Sequence, residues 1–264
     1  NNAVFPYGGY NENITIASGV HNVTIRRNTL TSGPMPETGF VRGPGGEGID
    51  LKEGVENAWV YDNDVHDLED AGYGIYIDAG GSTWGYPETY QSEPGWIRNI
   101  HVYNNRVSGV AGHGIGVVSE GSGQLDGVYI YNNIVHRNGL DGVLIYDWNL
   151  PNRANPPSPL PVTRNIFVLH NTVYDNAQRK PYFGGIAIDH NWADNIVIQN
   201  NISHGHNYDI RQSNVPGNTQ ITNNLSDTPG FRNAEQGDFS LQSWSPAING
   251  ANSALPIQIS RDHK

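Results

Sequence analysis

Apolar and polar residues alternate in short bursts along this chain, and the bursts themselves recur. Residues 185–204 read GIAIDHNWADNIVIQNNISH, two runs that set Ile186 and Ile188, then Ile196 and Ile198, on one side, joined by a polar turn. The same pattern returns at 47–66 and 113–136, and in interrupted form at 73–78 with 97–107 and at 141–146 with 162–174. A worn first copy starts at Asn13 and a last one at Tyr208, about seven in all. Alternation with period two marks a strand with one buried face. Repetition at this spacing marks a solenoid, in which each unit buries its apolar face against the next. The pattern predicts an all-β solenoid of about seven coils with two strands per coil. The first strands carry Ile49/Leu51, Ile75/Ile77, Ile115/Val117, Val143/Ile145 and Ile186/Ile188; the second carry Val23/Ile25, Val60, Val102, Val128/Ile130, Ile166/Val168 and Ile196/Ile198. Just after the second strand stand Asn28, Asn63, Asn105, Asn133, Asn171, Asn201 and Asn224. A ladder of inward asparagines would satisfy the turn amides of neighbouring coils.

Composition agrees with a turn-rich β protein: Gly is 32 residues and Pro 16, while charged residues are only 16%. With no cysteine, disulfides and thiolate metal sites are excluded. No apolar run is long enough to span a membrane as a helix. Asn1 and Asn2 open the chain as a mature or excised start would, which allows secretion. A net charge of −11 disfavours nucleic acid and other polyanions as partners.

The repeat resembles the right-handed parallel β-helix of extracellular carbohydrate-active proteins: polysaccharide lyases, some glycoside hydrolases, and β-helical carbohydrate-binding modules attached to xylanases. The resemblance covers about residues 13–251, and the run at 229–250 looks like the C-terminal coil of such proteins. It implies one domain over 1–264 with 228–264 as its cap, an extracellular location, a polysaccharide partner, and tethering to a catalytic glycoside hydrolase domain. One fold hosts many activities, so the site must be argued from residues.

Two insertions leave the same turn, residues 79–96 in repeat three and 147–161 in repeat five, with the short turn of repeat four between them. Two walls and a floor predict a cleft; a third insertion, 31–46, leaves a different turn. On the floor, alternation turns Asp50, Lys52, Tyr76, Asp78, Tyr146 and Asp189 outward, with Asp147 and His190 just past the strand ends. Aromatics crowd the walls: Trp84, Tyr86, Tyr90 and Trp96 in one, Trp148 in the other, and Trp192 near the equivalent turn one repeat later. Flat rings suit pyranose faces while acids and amides take the hydroxyls. Trp59 and Trp244 are read as packing residues.

Three chemistries compete with simple binding. Lys52 is one of three lysines, and in β-helical lyases a Lys or Arg removes the proton α to a uronate carboxylate while calcium neutralises that carboxylate. The run GIDLK at 48–52 followed by AGYGIYID at 71–78 has the outline of one such family, but Gly72, Tyr73 and Tyr76 stand where it clusters acidic calcium ligands. Asp78, Asp147 and Asp189 offer a carboxylate pair for inverting glycoside hydrolysis. Asp62, Asp64 and Asp67 form a short acidic run suited to calcium. The histidines show no zinc-site spacing. The combined reading is a non-catalytic module for a neutral or weakly charged plant cell-wall β-glycan such as xylan. The alternatives are a pectate-lyase-like enzyme with Lys52 as base, and an adhesin or spike segment with no glycan cleft.

Overall fold

The computed structural model describes residues 3–4, 12–17, 19–32, 46–80, 95–120, 123–148 and 163–252. They form a right-handed parallel β-helix of three seven-stranded sheets, each strand pairing in parallel with its counterparts one coil before and after. The front sheet holds the first strand of each repeat: Ile14–Ile16, Ile49–Leu51, Tyr73–Gly80, His113–Glu120, Val143–Asp147, Ile186–Asp189 and Ile210–Ser213. The back sheet holds the second: His21–Arg26, Glu56–Tyr61, Trp96–Tyr103, Gln124–Tyr131, Thr163–Leu169, Ala193–Gln199 and Thr219–Thr222.

The third, lateral sheet corrects the expectation of two strands per coil. Its strands are short: Ala3–Val4, Thr29–Leu30, Asp64–His66, Arg106–Ser108, Ile134–His136, Thr172–Tyr174 and Ile202–His204. Five of them contribute one inward apolar residue, Leu30, Val65, Val107, Val135 and Val173 in turn, and Ile202–His204 contributes Ser203, all fully buried. A single apolar residue per strand leaves no alternation to read. Together with the isoleucine and valine columns of the other two sheets, the five apolar residues make one continuous core along the axis.

Seven asparagines pin the bend between back and lateral sheets. Each ladder side chain accepts, at its amide oxygen, the backbone N–H and the side-chain N–H of the asparagine one coil before, without a break from Asn28 to Asn224. The residue ahead of each ladder position takes a left-handed conformation, Asp62 (φ 55°) and Asn132 (φ 55°) among them. That is why Asn, Asp and His crowd these bends. Outside the back sheet, rings stack in register: Trp59, His101, Tyr129 and Phe167 in one column, and Tyr61, Tyr103 and Tyr131 in another at 4.8–4.9 Å. Trp59 therefore packs as expected, but Trp244 does not: it is 59% exposed.

After the last coil the described residues form an antiparallel pair, Phe231–Asn233 with Asp238–Leu241. It lies against the lateral sheet, where Phe239 packs on His136 and Tyr174 and Arg137 donates to the Glu235 carbonyl at 2.9 Å. Burial pushes the His136 imidazole down to about 4. Among the described residues, no helix is long and apolar enough to cross a membrane.

Candidate functional site

Register fixes which side chains share the outward face of the front sheet. Asp50 pairs with Tyr76, Tyr76 with Gly116, Gly116 with Leu144, Leu144 with Ala187 and Ala187 with Arg211. A second column runs Asp78, Val118, Tyr146, Asp189, Ser213. Although it faces away from the core, most of this surface is buried: Asp50 is 0% exposed, Tyr76 and Asp78 5%.

At its first coils the face gathers acids around a single ammonium. Lys52 Nζ lies 2.7 Å from Asp50 Oδ2, 3.5 Å from Asp78 Oδ2 and 3.7 Å from Glu12 Oε1. Glu12, Glu47 and Asp50 bring carboxylate oxygens within 4.8 Å of one another, and Asp50 Oδ1 and Asp78 Oδ1 are buried without a hydrogen-bond partner. Burial pushes the Asp50 carboxyl up to about 7, against the opposing pull of Lys52. Asp78 is raised by burial and then by the charges of Glu120 and Asp50; Glu47 is raised by burial as well. For Lys52 burial acts downward, but the charges of Asp50 and Asp78 outweigh it and hold the ammonium above its ordinary range. Perturbed carboxyls grouped on one face mark a functional-site candidate.

Aromatic rings continue the site along the axis. The Tyr76 hydroxyl donates to Glu120, and its ring stacks on Tyr73 at 4.0 Å. Tyr73 stacks on His113 at 5.1 Å, His113 meets Phe183 edge-on at 5.6 Å, and Phe183 meets Tyr182 at 4.8 Å. The Trp148 indole N–H donates to the Tyr73 hydroxyl, and the Tyr146 ring sits edge-on to Trp148 at 5.5 Å. Behind His113 lies Asp141, fully buried: its carboxylate accepts the Gly184 backbone N–H at 2.8 Å and pairs with Arg211 at 3.1 Å, and its own backbone N–H donates to His113 Nδ1 at 3.2 Å.

Gly116 makes room for this stack, since a Cβ there would fall 2.5 Å from two Tyr73 ring carbons. Gly116→Ala should cost about 1–3 kcal/mol of stability, the usual penalty of overpacking. It should also displace Tyr73 from Trp148, read as a shift in tryptophan fluorescence; unchanged stability and emission would mean the ring simply slides aside.

The structure brings Lys52, Tyr76 and Asp78 together and sets Tyr146 and Asp189 further along the same face. Asp189 accepts a hydrogen bond from Asn214 at 2.7 Å. Two expected members leave the face. Asp147 is paired with Ser119 and, through it, with core residue Ala79, so it continues the inward side of its strand and is 1% exposed. His190 is fully buried, one ring nitrogen 2.8 Å from the Thr163 hydroxyl and the other accepting the Trp192 backbone N–H at 3.2 Å. Trp192 is half-buried in that turn, and Trp148 is 39% exposed at the rim. Trp84, Tyr86 and Tyr90, and most of both insertions, lie outside the described residues; Trp96 opens a back-sheet strand under the Arg98 guanidinium.

The competing chemistries fare unequally. Asp78 and Asp189 stand three strand spacings apart, about 14 Å at ~4.8 Å per strand, beyond the ~6.5–9.5 Å of an inverting pair. With Asp147 turned inward, that trio cannot serve as a hydrolytic pair. Lys52, held protonated, cannot remove a proton. Asp62 and Asp67 are exposed at opposite ends of a lateral strand, paired with Arg27 at 3.9 Å and His66 at 2.9 Å. Among the described residues the acids that converge are Glu12, Glu47 and Asp50. There Lys52 Nζ lies 2.7 Å from Asp50 and 3.7 Å from Glu12, so a cation at this place would share these carboxylates with the ammonium.

The column that alternation missed is Glu47, Tyr73, His113 and Asp141, each standing immediately before a repeat glycine: Gly48, Gly74, Gly114 and Gly142. That shared place was the available signal.

No protein-family model matches the chain, and no curated protein matches it. Among solved structures, it is similar to the A-module of the Azotobacter vinelandii mannuronan C-5 epimerase AlgE6. The identity is 14% and the TM-score 0.29, over 79% of this chain and 65% of that one. At that distance nothing about residues or substrate transfers between the two.

Proposed function

We propose that the outward face of the front sheet binds a polysaccharide without cleaving it, and that a β-glycan such as xylan is the substrate class it fits. The observation that carries this reading is the join of the acid cluster around Lys52 to a run of aromatic rings ending at half-exposed Trp148. Carboxylates accept from sugar hydroxyls, and rings take the apolar faces of pyranoses. A surplus of acids around one lysine repels polyuronates. The pKa of Asp50 near 7 favours a second reading, in which that carboxyl acts as a general acid.

Titration of xylan oligosaccharides into wild type and Trp148→Ala, with product analysis alongside, tests both. Losing an aromatic anchor costs more than ~2 kcal/mol at a binding hot spot, so affinity should fall at least tenfold, with little change in melting temperature because the ring is at the rim. No cleavage product is expected. Shortened sugars would favour the second reading; unchanged affinity in Trp148→Ala would move the binding surface elsewhere.

A further inference from the structure

The two ends of the front face differ in charge. Glu12, Glu47, Asp50, Asp78 and Glu120 surround Lys52 at the first coils, whereas Lys180 and Arg211 lie among rings at the sixth and seventh front strands. The Arg211 guanidinium lies 5.6 Å over the Phe183 ring, and Lys180 Nζ lies 6.0 Å over Tyr182. Tyr182 is 58% exposed and Tyr208 51%, among the most exposed large apolar side chains described. The two tyrosines belong to adjoining turns, tied by Asn207 donating to the Pro181 carbonyl at 2.8 Å and Gly185 donating to the Tyr208 carbonyl at 2.9 Å. Arg211 neutralises buried Asp141 with one nitrogen, while its Nε is buried with no hydrogen-bond partner. Asp209, two residues before Arg211, has its carboxyl raised by burial. An exposed ammonium and a guanidinium, the latter also paired with Asp141, thus stand beside exposed aromatic surface in a chain whose net charge is −11.

We propose that Lys180, Tyr182, Phe183, Tyr208 and Arg211 form a separate subsite for a carboxylate-bearing sugar residue on an otherwise neutral glycan. The inference rests on the polysaccharide reading above and adds a direction to it. From Asp50 to Arg211 the register counts five strand spacings, about 24 Å at ~4.8 Å each, room for an oligosaccharide of several residues. An acidic sugar at the Asp50 end meets like charge; at the Arg211 end it meets guanidinium and ammonium donors, with the tyrosines to take ring faces. The uncharged part of the chain then runs toward the acid cluster around Lys52, so the charged residue fixes orientation.

The test compares a neutral xylo-oligosaccharide with one of equal length carrying a glucuronate, titrated into wild type, Lys180→Glu and Tyr182→Ala at low and raised salt. Both side chains are exposed, so the variants should fold, and Arg211 is left in place because Asp141 depends on it. Wild type should prefer the acidic ligand at least fivefold, with the preference shrinking as salt rises. Lys180→Glu should abolish the preference and leave the neutral ligand's affinity unchanged, and Tyr182→Ala should weaken the acidic ligand. Equal wild-type affinities would overturn the subsite and leave the neutral-glycan reading standing. A preference that survives Lys180→Glu would also overturn it, and failure of both ligands to bind would remove the subsite with the reading beneath it.

Discussion

Asn133→Leu should unfold the middle of the solenoid under conditions where wild type is fully native. Asn133 is 1% exposed. Its amide oxygen accepts the Asn105 backbone and side-chain N–H, each at 3.0 Å. Its amide nitrogen donates to the Val102 carbonyl at 2.9 Å, the Tyr131 carbonyl at 3.2 Å and Asn171 Oδ1 at 3.0 Å. Leucine fills a similar volume but returns none of these bonds, and several groups in neighbouring coils lose a partner at a buried bend. Each unsatisfied buried group costs about 1–3 kcal/mol, so a loss above ~4 kcal/mol is expected in urea melts. Stability in such a stack is carried by contacts between adjacent coils. The melt should therefore also broaden or split, as the coils on either side lose their coupling. Asn28→Leu, at a ladder position that is only half-buried, should cost markedly less. A change below ~0.5 kcal/mol for Asn133→Leu would mean that water or backbone adjustment replaces the ladder.

The asparagine ladder could be read from the chain because every member stands at the same offset after a period-two run. The two large sheets were legible for the same reason: Ile75/Ile77 and Val128/Ile130 alternate long enough to show a face. The lateral sheet was not, since Val65 or Val107 alone between polar neighbours carries no period. Within the site, alternation correctly turned Asp50, Lys52, Tyr76 and Asp78 outward. It failed at Asp147 because the strand runs two residues beyond its last aliphatic, keeping Asp147 on the inward side with Ile145. It failed again at Tyr73 and His113, the first residues of their strands, where Tyr73 stacks on Tyr76 three positions on although strict alternation would put the two on opposite faces. Charge was the least legible feature. Lys52 amid acids is visible in sequence only as neighbours Asp50 and Glu53; Asp78 and Glu12 arrive from other coils.

Lys52→Met should destabilise the protein strongly at pH 8 and little at pH 5. The ammonium lies against Asp50, Asp78 and Glu12, at 2.7, 3.5 and 3.7 Å. Asp50 is 0% exposed and Asp78 5%. Removing one partner of a buried ion pair leaves an uncompensated charge, a change that typically costs ~3–5 kcal/mol. The molecule has an escape, which is to protonate the acids. Asp50 already titrates at about 7 with Lys52 present, against an ordinary 3.8, because burial opposes its charge; without the ammonium it must rise further. A carboxyl whose folded pKa lies above its unfolded value gives stability that is fully present below the unfolded value and is lost as pH climbs through the folded one. Wild type should therefore lose some stability between about pH 4 and 7 from Asp50 alone, and Lys52→Met should lose far more and continue losing it above pH 7. Lys52→Met combined with Asp50→Asn, which imitates the protonated acid, should recover much of the loss at pH 8. Thermal melts of the three proteins from pH 5 to 8 supply the measurement. Equal destabilisation of Lys52→Met at both ends of that range would assign Lys52 a packing role through its aliphatic stem, and would remove the charge coupling within the acid cluster on which the glycan site is built.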